Sequence, residues 1–347
     1  MVFDLWPVTN NGVTGASMWK SGMDKKLAEG IAAMERKDYF AAHRILMQLA
    51  EQGVAEAQYR IRSMHHRAMG VLRDFKEAAF WYQKAADQGH ADAYMGLGSM
   101  YSVGEVYGNV LPRDPIQAMR CYQRAAELGA AFANFWIAQA FEIGSEVKQD
   151  YDKAAFYYRK AADQGHVNAL LCLGSLYSNH QVKKYTKALA CYREAIDKCQ
   201  ISAWYHIGFM HLWGEGVEKN AAEAIRCWRK LADRGDCCAQ ERIGEMYSDG
   251  RHMTRDLIEA YKWFSLAAAA GERGECETYN FLYVKHPAPV ELTEDFDRHL
   301  KSEHTPRNHA HEESSRQRDQ LAFSMTPEQL KAAKQLVEEW RPIRSRH

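Results

Sequence analysis

The stretch DFKEAAFWYQKAADQG, residues 74–89, decides the fold, because the chain repeats it with small changes. Copies occupy residues 114–129 (DPIQAMRCYQRAAELG), 150–165 (DYDKAAFYYRKAADQG), 220–235 (NAAEAIRCWRKLADRG) and 256–271 (DLIEAYKWFSLAAAAG). An eroded copy spans residues 38–53, and another, ending at Lys198-Cys199, lacks the closing glycine. A fixed period of this size indicates a solenoid, in which each unit buries its apolar face against its neighbours.

Each repeat predicts two helices, A and B, joined by a loop. Helix B opens with an aspartate or asparagine, whose side chain can cap the first turn, and closes with a glycine suited to the left-handed conformation that ends a helix. The opening residues are Asp38, Asp74, Asp114, Asp150, Asn220 and Asp256. Helix A carries an internal glycine at Gly98, Gly174, Gly208 and Gly244. Because such a glycine costs about 1 kcal/mol relative to alanine, its recurrence predicts close helix crossing.

Composition excludes several classes of partner. The 45 basic and 45 acidic residues balance, so the chain has no charge excess for nucleic acid, and no apolar stretch is long enough to insert into a membrane. Residues 1–23 lack a basic start and a continuous apolar segment, which makes them a poor signal peptide. We expect a cytoplasmic protein, or a periplasmic one if a signal peptide has been removed. The eight cysteines form no pair that recurs with the repeat, so no disulfide ladder is implied.

No pattern of catalytic or cofactor-binding residues occurs. The sequence lacks G-x-S-x-G, a P-loop, H-E-x-x-H, a Rossmann glycine set and an EF-hand loop. His309 and His311 could present two imidazoles to a metal, but a polar linker explains the histidines of the tail more simply. We therefore expect no enzyme activity, no cofactor and no metal site.

The repeated frame, A-x-A-x3-L-G-x2-Y followed by G-x-G-V and D-x2-K-A-x2-W-Y-x-K-A-A-x-Q-G, resembles the Sel-one-like repeat family, relatives of tetratricopeptide repeats. The segment MTPEQLKAAKQLVEEW, residues 325–340, resembles the capping helix of bacterial members. The resemblance implies an all-α fold: an α-solenoid, a right-handed superhelix of about six to seven antiparallel helix pairs with a C-terminal capping helix.

This interpretation divides the chain into four segments. Residues 1–23 are expected to form an irregular lead-in, and residues 24–285 the repeat solenoid. Residues 286–324 are polar and rich in histidine, and we expect a partly disordered linker there. Residues 325–341 should form the capping helix, with Thr326 as its N-cap and Pro327 in its first turn.

The resemblance also implies that the A helices line a concave surface. Several A-helix positions that should face this surface carry apolar or acidic side chains, which suggests binding of a partner. The candidate partner-binding residues are Tyr59, Met95, Phe132, Phe135, Glu142, Leu171, Tyr205, Phe209, Leu212, Glu241 and Glu245. Two alternatives stay open: curvature could bury some of these side chains between adjacent A helices, or the chain's own segment 286–323 could fill the groove.

The function expected from this surface is that of a non-enzymatic scaffold or adaptor that binds a protein or peptide. The aromatic side chains would be buried by the partner, and Glu142, Glu241 and Glu245 would select its basic groups. The family resemblance suggests secretion or signalling components as partners. The alternative is a bacterial immunity protein that neutralises a cognate secreted toxin or effector. A more distant alternative is a hydrolase that uses the histidines and acids of the tail.

Overall fold

The computed structural model describes residues 15–103, 112–144, 147–179, 181–273 and 306–343. Over these residues the protein forms sixteen helices and no strand, and most helices pack against the next one along the chain. The predicted all-α solenoid is therefore confirmed. The chain divides into two compact units, Met1–Tyr157 and Tyr158–His347, and the boundary falls inside a helix. Each unit is described by itself.

The first unit contains seven complete helices and the start of an eighth. They are α1 (Gly15–Glu35), α2 (Tyr39–Glu51), α3 (Ala55–Arg67), α4 (Phe75–Asp87), α5 (Ala91–Val103), α6 (Pro115–Glu127), α7 (Ala131–Ile143) and the first residues of α8 (Tyr151–Asp163). The second unit holds the rest of α8 and eight further helices. These are α9 (Val167–Ser178), α10 (Tyr185–Asp197), α11 (Ala203–Trp213), α12 (Ala221–Ala232), α13 (Cys237–Asp249), α14 (Leu257–Arg273), α15 (Pro306–Ser324) and α16 (Pro327–Glu339). The A helices of the repeats are α3, α5, α7, α9, α11 and α13.

The predicted N-caps are present at all six positions. Asp74, for example, accepts hydrogen bonds from the backbone amides of Lys76 and Glu77 at 2.8 and 3.0 Å. Asp38, Asp114, Asp150, Asn220 and Asp256 accept equivalent bonds. The B helix that starts at Tyr185 is the exception, because its N-cap is Lys184, which makes no side-chain capping bond.

The A-helix glycines make room for aromatic rings, as predicted. A Cβ atom on Gly98 would lie 2.6 Å from the ring of Tyr122, and one on Gly174 would lie 2.5 Å from the ring of Tyr192. Gly208 faces Trp228 and Gly244 faces Phe264 in the same way. In each repeat the ring belongs to the B helix of the same hairpin. The glycine therefore sets how closely the two helices of a hairpin approach.

The helix-closing position also behaves largely as predicted. Gly53, Gly89, Gly129, Gly165 and Gly235 all have positive φ, and Cys199 adopts φ 65° where the repeat has lost its glycine. Gly271 differs, because α14 continues through it to Arg273.

Cys237 is disulfide-bonded, which the cysteine spacing did not indicate.

The expected irregular lead-in at residues 1–23 is wrong from Gly15 onward. Helix α1 begins there, nine residues before the expected start. Leu27 and Met34 pack against the core of α2 and α3, and Gly30 lies against Leu46. These contacts give α1 a buried side that local composition does not reveal. Residues 1–14 lie outside the described residues.

The expected linker at residues 286–324 is wrong for its second half, which forms α15. Leu321 of this helix packs with Ala260 and Phe264 of α14. Helix α16 matches the predicted capping helix, with Thr326 and Gln329 forming a capping box. Its Val337 and Trp340 pack against the core of the last repeats. Residues 274–305 lie outside the described residues.

Candidate functional site

The predicted partner-binding residues of the first unit differ widely in exposure. Phe132 on α7 is 47% exposed, whereas Phe135, one turn later, is 8% exposed. Tyr59 on α3 is half-buried, and its ring stacks on His90 with centroids 4.6 Å apart. The half-buried Met95 packs against the core of α6 and α7, and Glu142 is half-buried near the end of α7.

In the second unit most of the predicted residues belong to the core. Leu171 is fully buried, and Tyr205, Leu212 and Glu241 are each less than a tenth exposed. Phe209 and Glu245 are half-buried. Tyr205 lies at the contact between α11 and α12, since its carbonyl oxygen accepts a 3.0 Å hydrogen bond from the Trp228 indole.

The expectation that these side chains are exposed is therefore wrong for five of the eleven. The five are Phe135, Leu171, Tyr205, Leu212 and Glu241. For Tyr205 and Leu212 the physical reason is packing within the core, because both belong to one cluster with buried residues of α12 and α13. At these two positions the side chains are thus used inside the protein, as the first of the two alternatives allows. For the other six residues, a role in binding a partner stays a prediction.

The tail accounts for the burial of Glu241. Ser314 of α15 is 2% exposed and donates a 3.2 Å hydrogen bond to Glu241 Oε1. Part of the chain's own tail therefore contacts the predicted surface at Glu241, through Ser314 of α15. Burial raises the pKa of the Glu241 carboxyl, although Arg242 and the bond from Ser314 oppose the shift.

Glu245 sits one turn further along α13 in a strongly acidic setting. Its carboxylate accepts a 2.6 Å charge-assisted hydrogen bond from Arg242. Burial nevertheless raises the pKa of Glu245 to about 7, and the neighbouring Glu241, Asp249 and Glu313 reinforce the shift. Burial is the largest cause of this raised pKa, and Arg242 opposes it more strongly than any one of the carboxylates supports it.

Sequence reasoning missed two exposed apolar residues at the ends of A helices. Ile143 on α7 is 49% exposed and Trp213 on α11 is 56% exposed. Each lies eight residues after a predicted site residue, Phe135 and Tyr205 respectively. Each also lies eleven residues after the first residue of its face, Phe132 or Ser202, which is about three turns, so a face widened by one residue would have included both.

The histidine cluster considered for a metal falls largely outside the described residues. His286, His299 and His304 lie in the segment that the structure does not describe, and His309 and His311 lie at the start of α15 without described side chains. Among the described residues, no group of three or more His, Cys, Asp or Glu side chains could hold a metal ion. In the same residues, no helix combines the length and the apolar character needed to cross a bilayer.

The protein is an α-solenoid of repeated helical hairpins. This class is defined by the paired helices, by the capped B helices and by the A-helix glycines that pack against rings of the B helices. The Sel1 repeat pattern matches residues 55–90, 91–129, 131–166, 169–198, 202–236 and 239–272. These six segments cover more than half of the chain, which belongs to the Sel1 repeat family. Proteins of this family typically mediate protein–protein interactions, and the repeats are generally non-catalytic scaffolds.

The chain matches about an eighth of the length of each of two curated relatives. The chain is 32% identical to chitin synthase regulatory factor 3 of Schizosaccharomyces pombe over 123 residues, which cover 35% of this chain and 13% of that protein. It is 34% identical over 105 residues to a component of an ERAD-associated E3 ubiquitin-protein ligase of Candida glabrata, covering 30% of this chain and 12% of that protein.

A solved structure supports the fold over most of the chain. A protective antigen of uropathogenic Escherichia coli strains that displays the same repeat fold superposes with a TM-score of 0.65. The match covers 93% of this chain and 62% of the antigen at 22% sequence identity. At that identity the likeness concerns the fold alone.

Proposed function

We propose that this protein is a non-enzymatic scaffold or adaptor that binds another protein through side chains of its A helices. The observation that carries the proposal is the exposure of large apolar side chains on these helices: Phe132 and Ile143 on α7, and Trp213 on α11. Exposed aromatic and aliphatic side chains are common anchors of protein interfaces. A catalyst would need a nucleophile, a base or a metal in a defined arrangement, and our proposal requires none.

The chemistry of the surface supports a polypeptide as the partner. Phe132 and Ile143 lie eleven residues apart on α7, about three helical turns, so both project from the same side of the helix. Apolar anchors at this spacing suit an extended segment or a helix that runs along the A helices. The names of the two relatives also support a protein partner, since one is a regulatory factor of chitin synthase and the other a component of a ubiquitin ligase.

The test is affinity capture with the full chain as bait. It compares the proteins captured by two matched variants. Phe132→Ser with Ile143→Ser removes the α7 anchors. The control, Phe80→Ser with Phe156→Ser, removes two apolar side chains from the B helices, where they are 48% and 62% exposed. We expect the α7 variant to lose specific proteins that the wild type and the control variant both retain. Identical capture by the two variants would reject binding through the A helices.

The same experiment separates the two roles that the family resemblance suggests. An immunity protein would capture one dominant protein, a secreted toxin or effector, and the α7 variant would fail to protect cells that express it. An adaptor would instead capture components of a secretion or signalling assembly. The hydrolase alternative rests on histidines that lie outside the described side chains, and no observation favours it.

A further inference from the structure

The contact between α2 and α3 contains two histidines. His43 of α2 and His65 of α3 are 22 positions apart, and their rings meet edge to face with centroids 5.8 Å apart. Helix α2 ends one repeat and α3 begins the next, so this contact joins two repeats. The later repeats therefore contain equivalent pairs, which are also 22 positions apart.

In the equivalent pairs the first residue is apolar and the second carries a ring. The pairs are Ala79 with Tyr101, Met119 with Phe141, Ala155 with Tyr177, Leu189 with His211, and Ile225 with Tyr247. The first member of each pair is buried. Met119 and Phe141 belong to one apolar cluster, and Ile225 packs with Tyr247 in another. Among these six contacts, the one between α2 and α3 therefore differs in having two side chains that can take up a proton at mildly acidic pH.

The two imidazoles are enclosed, and their buried nitrogens have no hydrogen-bond partner in the described part of the chain. Both side chains are half-buried. Nε2 of His43 and both ring nitrogens of His65 are buried and bond to no described residue. Helix α1 also packs against α2, where it contributes the apolar Leu27 and Met34 to the shared core. A protonated imidazole has two N–H donors to satisfy, and a buried charge without partners is costly. The enclosure therefore disfavours two charged rings.

One acid lies beside the pair. The backbone amide of Asp74 donates a 3.1 Å hydrogen bond to the carbonyl oxygen of His65. The exposed Asp74 carboxylate already caps α4, and these bonds, more than the charge of His65, lower the pKa of Asp74. His66 and Arg67 follow His65 directly, which turns them to other sides of α3. A single exposed carboxylate is therefore the counter-charge available to two imidazoles.

We propose that the contact between α2 and α3 is an acid-sensitive joint of the repeat array. The joint is closed while both imidazoles are neutral and their rings pack together. When both rings take up protons, two like charges face each other across the joint, and α1 and α2 loosen from the helices that follow. This regulation goes beyond the proposed function and does not depend on which surface binds a partner.

The direction of the pH dependence follows from His43. Histidine has an ordinary pKa of about 6.5. Burial, and after it the charge of His65, lowers the pKa of His43, and neither cause involves an acid of α1. The closed joint therefore binds this proton less tightly than the open form, so acidification below about pH 6.5 favours opening. Leu46 of α2 and Ile61 of α3, which are fully buried in the shared core, would then become accessible.

Hydrogen–deuterium exchange of the full chain, followed by mass spectrometry near pH 7.5 and near pH 5.5, tests the joint. After correction for the intrinsic exchange rate, we expect the protection of α2 and α3 to fall by about tenfold or more at the lower pH. Helices α6 and α7 serve as the internal control, because they form the equivalent contact and contain no histidine. Their protection should change by less than about twofold.

A double variant separates the histidine pair from other effects of acid. His43→Met with His65→Phe copies the pair formed by Met119 and Phe141 and should keep α2 and α3 protected near pH 5.5. The matched control is His252→Gln, which removes an exposed histidine before α14 and should behave as the wild type does. Circular dichroism checks that each variant keeps its helicity.

An NMR titration of the imidazole protons in the wild-type chain gives a readout that does not depend on the double variant folding. The His43 signal, assigned by its absence in His43→Gln, should titrate below about pH 6.5. Titration of His43 at or above that value would overturn the inference. So would equal protection of α2 and α3 at the two pH values, an equal loss in α6 and α7, or a loss of protection in the folded double variant that matches the wild type.

Discussion

The substitution Gly174→Ala tests how hairpins of this solenoid are held together. The new Cβ atom would lie 2.5 Å from Cε1 of Tyr192 and 2.8 Å from its Cδ1 and Cζ. Ordinary carbon contacts are about 3.5–4.0 Å, so the ring would have to move by about 1 Å. Tyr192 cannot turn away easily, because it is 1% exposed and stacks on His206 with centroids 4.9 Å apart.

Two opposing terms decide the outcome. Alanine gains about 1 kcal/mol of helix propensity over glycine, and overpacking a core costs about 1–3 kcal/mol. Since the ring is confined, we expect the upper part of that range and a net loss of about 1–2 kcal/mol. The control is Gly22→Ala in α1, where the added methyl meets nothing within 4 Å. That variant should gain up to about 1 kcal/mol.

Thermal unfolding followed by circular dichroism at 222 nm measures both variants. A loss of 1–2 kcal/mol corresponds to a melting temperature about 2–8 °C lower for a unit of this size, whereas Gly22→Ala should melt at or above the wild-type temperature. If Gly174→Ala matched Gly22→Ala in sign and size, the glycine would not be setting the distance between the helices.

Three further predictions test individual residues. Tyr205→Ala should destabilise the protein by about 3–5 kcal/mol, as expected for a buried aromatic residue. Phe132→Ala should change stability by less than about 0.5 kcal/mol. Chemical denaturation measures both variants, and equal effects would contradict the difference in burial. Cys199→Gly should raise the melting temperature, because Cys199 has φ 65°. In this left-handed region a residue with a Cβ atom costs about 1–2 kcal/mol, which glycine avoids. A lower melting temperature would count against backbone strain at this position. Glu245 has a folded-state pKa raised to about 7 from 4.5, so the folded state binds the proton more tightly and this group lowers stability as pH rises from about 4.5 to 7. Glu245→Gln should accordingly gain stability relative to wild type at pH 7.5 compared with pH 5, in melting curves recorded at both values, and a pH-independent difference would argue against the shift.

The sequence predicts the local features of this fold well. An aspartate such as Asp74 caps a helix through bonds to amides two and three residues away, so its effect is readable from the sequence of one turn. The internal glycines are readable for a related reason: their cost in a helix needs a compensating contact, and Tyr122 or Tyr192 supplies it. Repetition strengthens both signals, because the same local arrangement recurs in successive hairpins.

The sequence could not predict which A-helix side chains stay exposed. Phe132 and Phe135 are both phenylalanines on α7, yet one is 47% exposed and the other 8%. The difference depends on which side of α7 its packing neighbours cover, which is a property of tertiary packing and not of the helix itself. On α11 the exposed fraction likewise rises from 6% at Tyr205 to 56% at Trp213.

The tail helix was missed because its stability comes from distant residues. Residues 306–324 contain few large apolar side chains, and composition of that kind is typical of linkers. The bond between Ser314 and Glu241 joins residues 73 positions apart, and Leu321 reaches Phe264 across a comparable distance in sequence. No window of local sequence contains either pair.

The docking of α15 on α14 closes the C-terminal end of the repeat array. A repeat array presents at its last hairpin the same kind of aromatic-lined side that every earlier hairpin offers to its successor. Leu321 occupies that side at Phe264. In an earlier hairpin the following repeat covers the equivalent side, so α15 takes the place of a further repeat. The tail helix thus ends the array by occupying the last side at which another hairpin could stack.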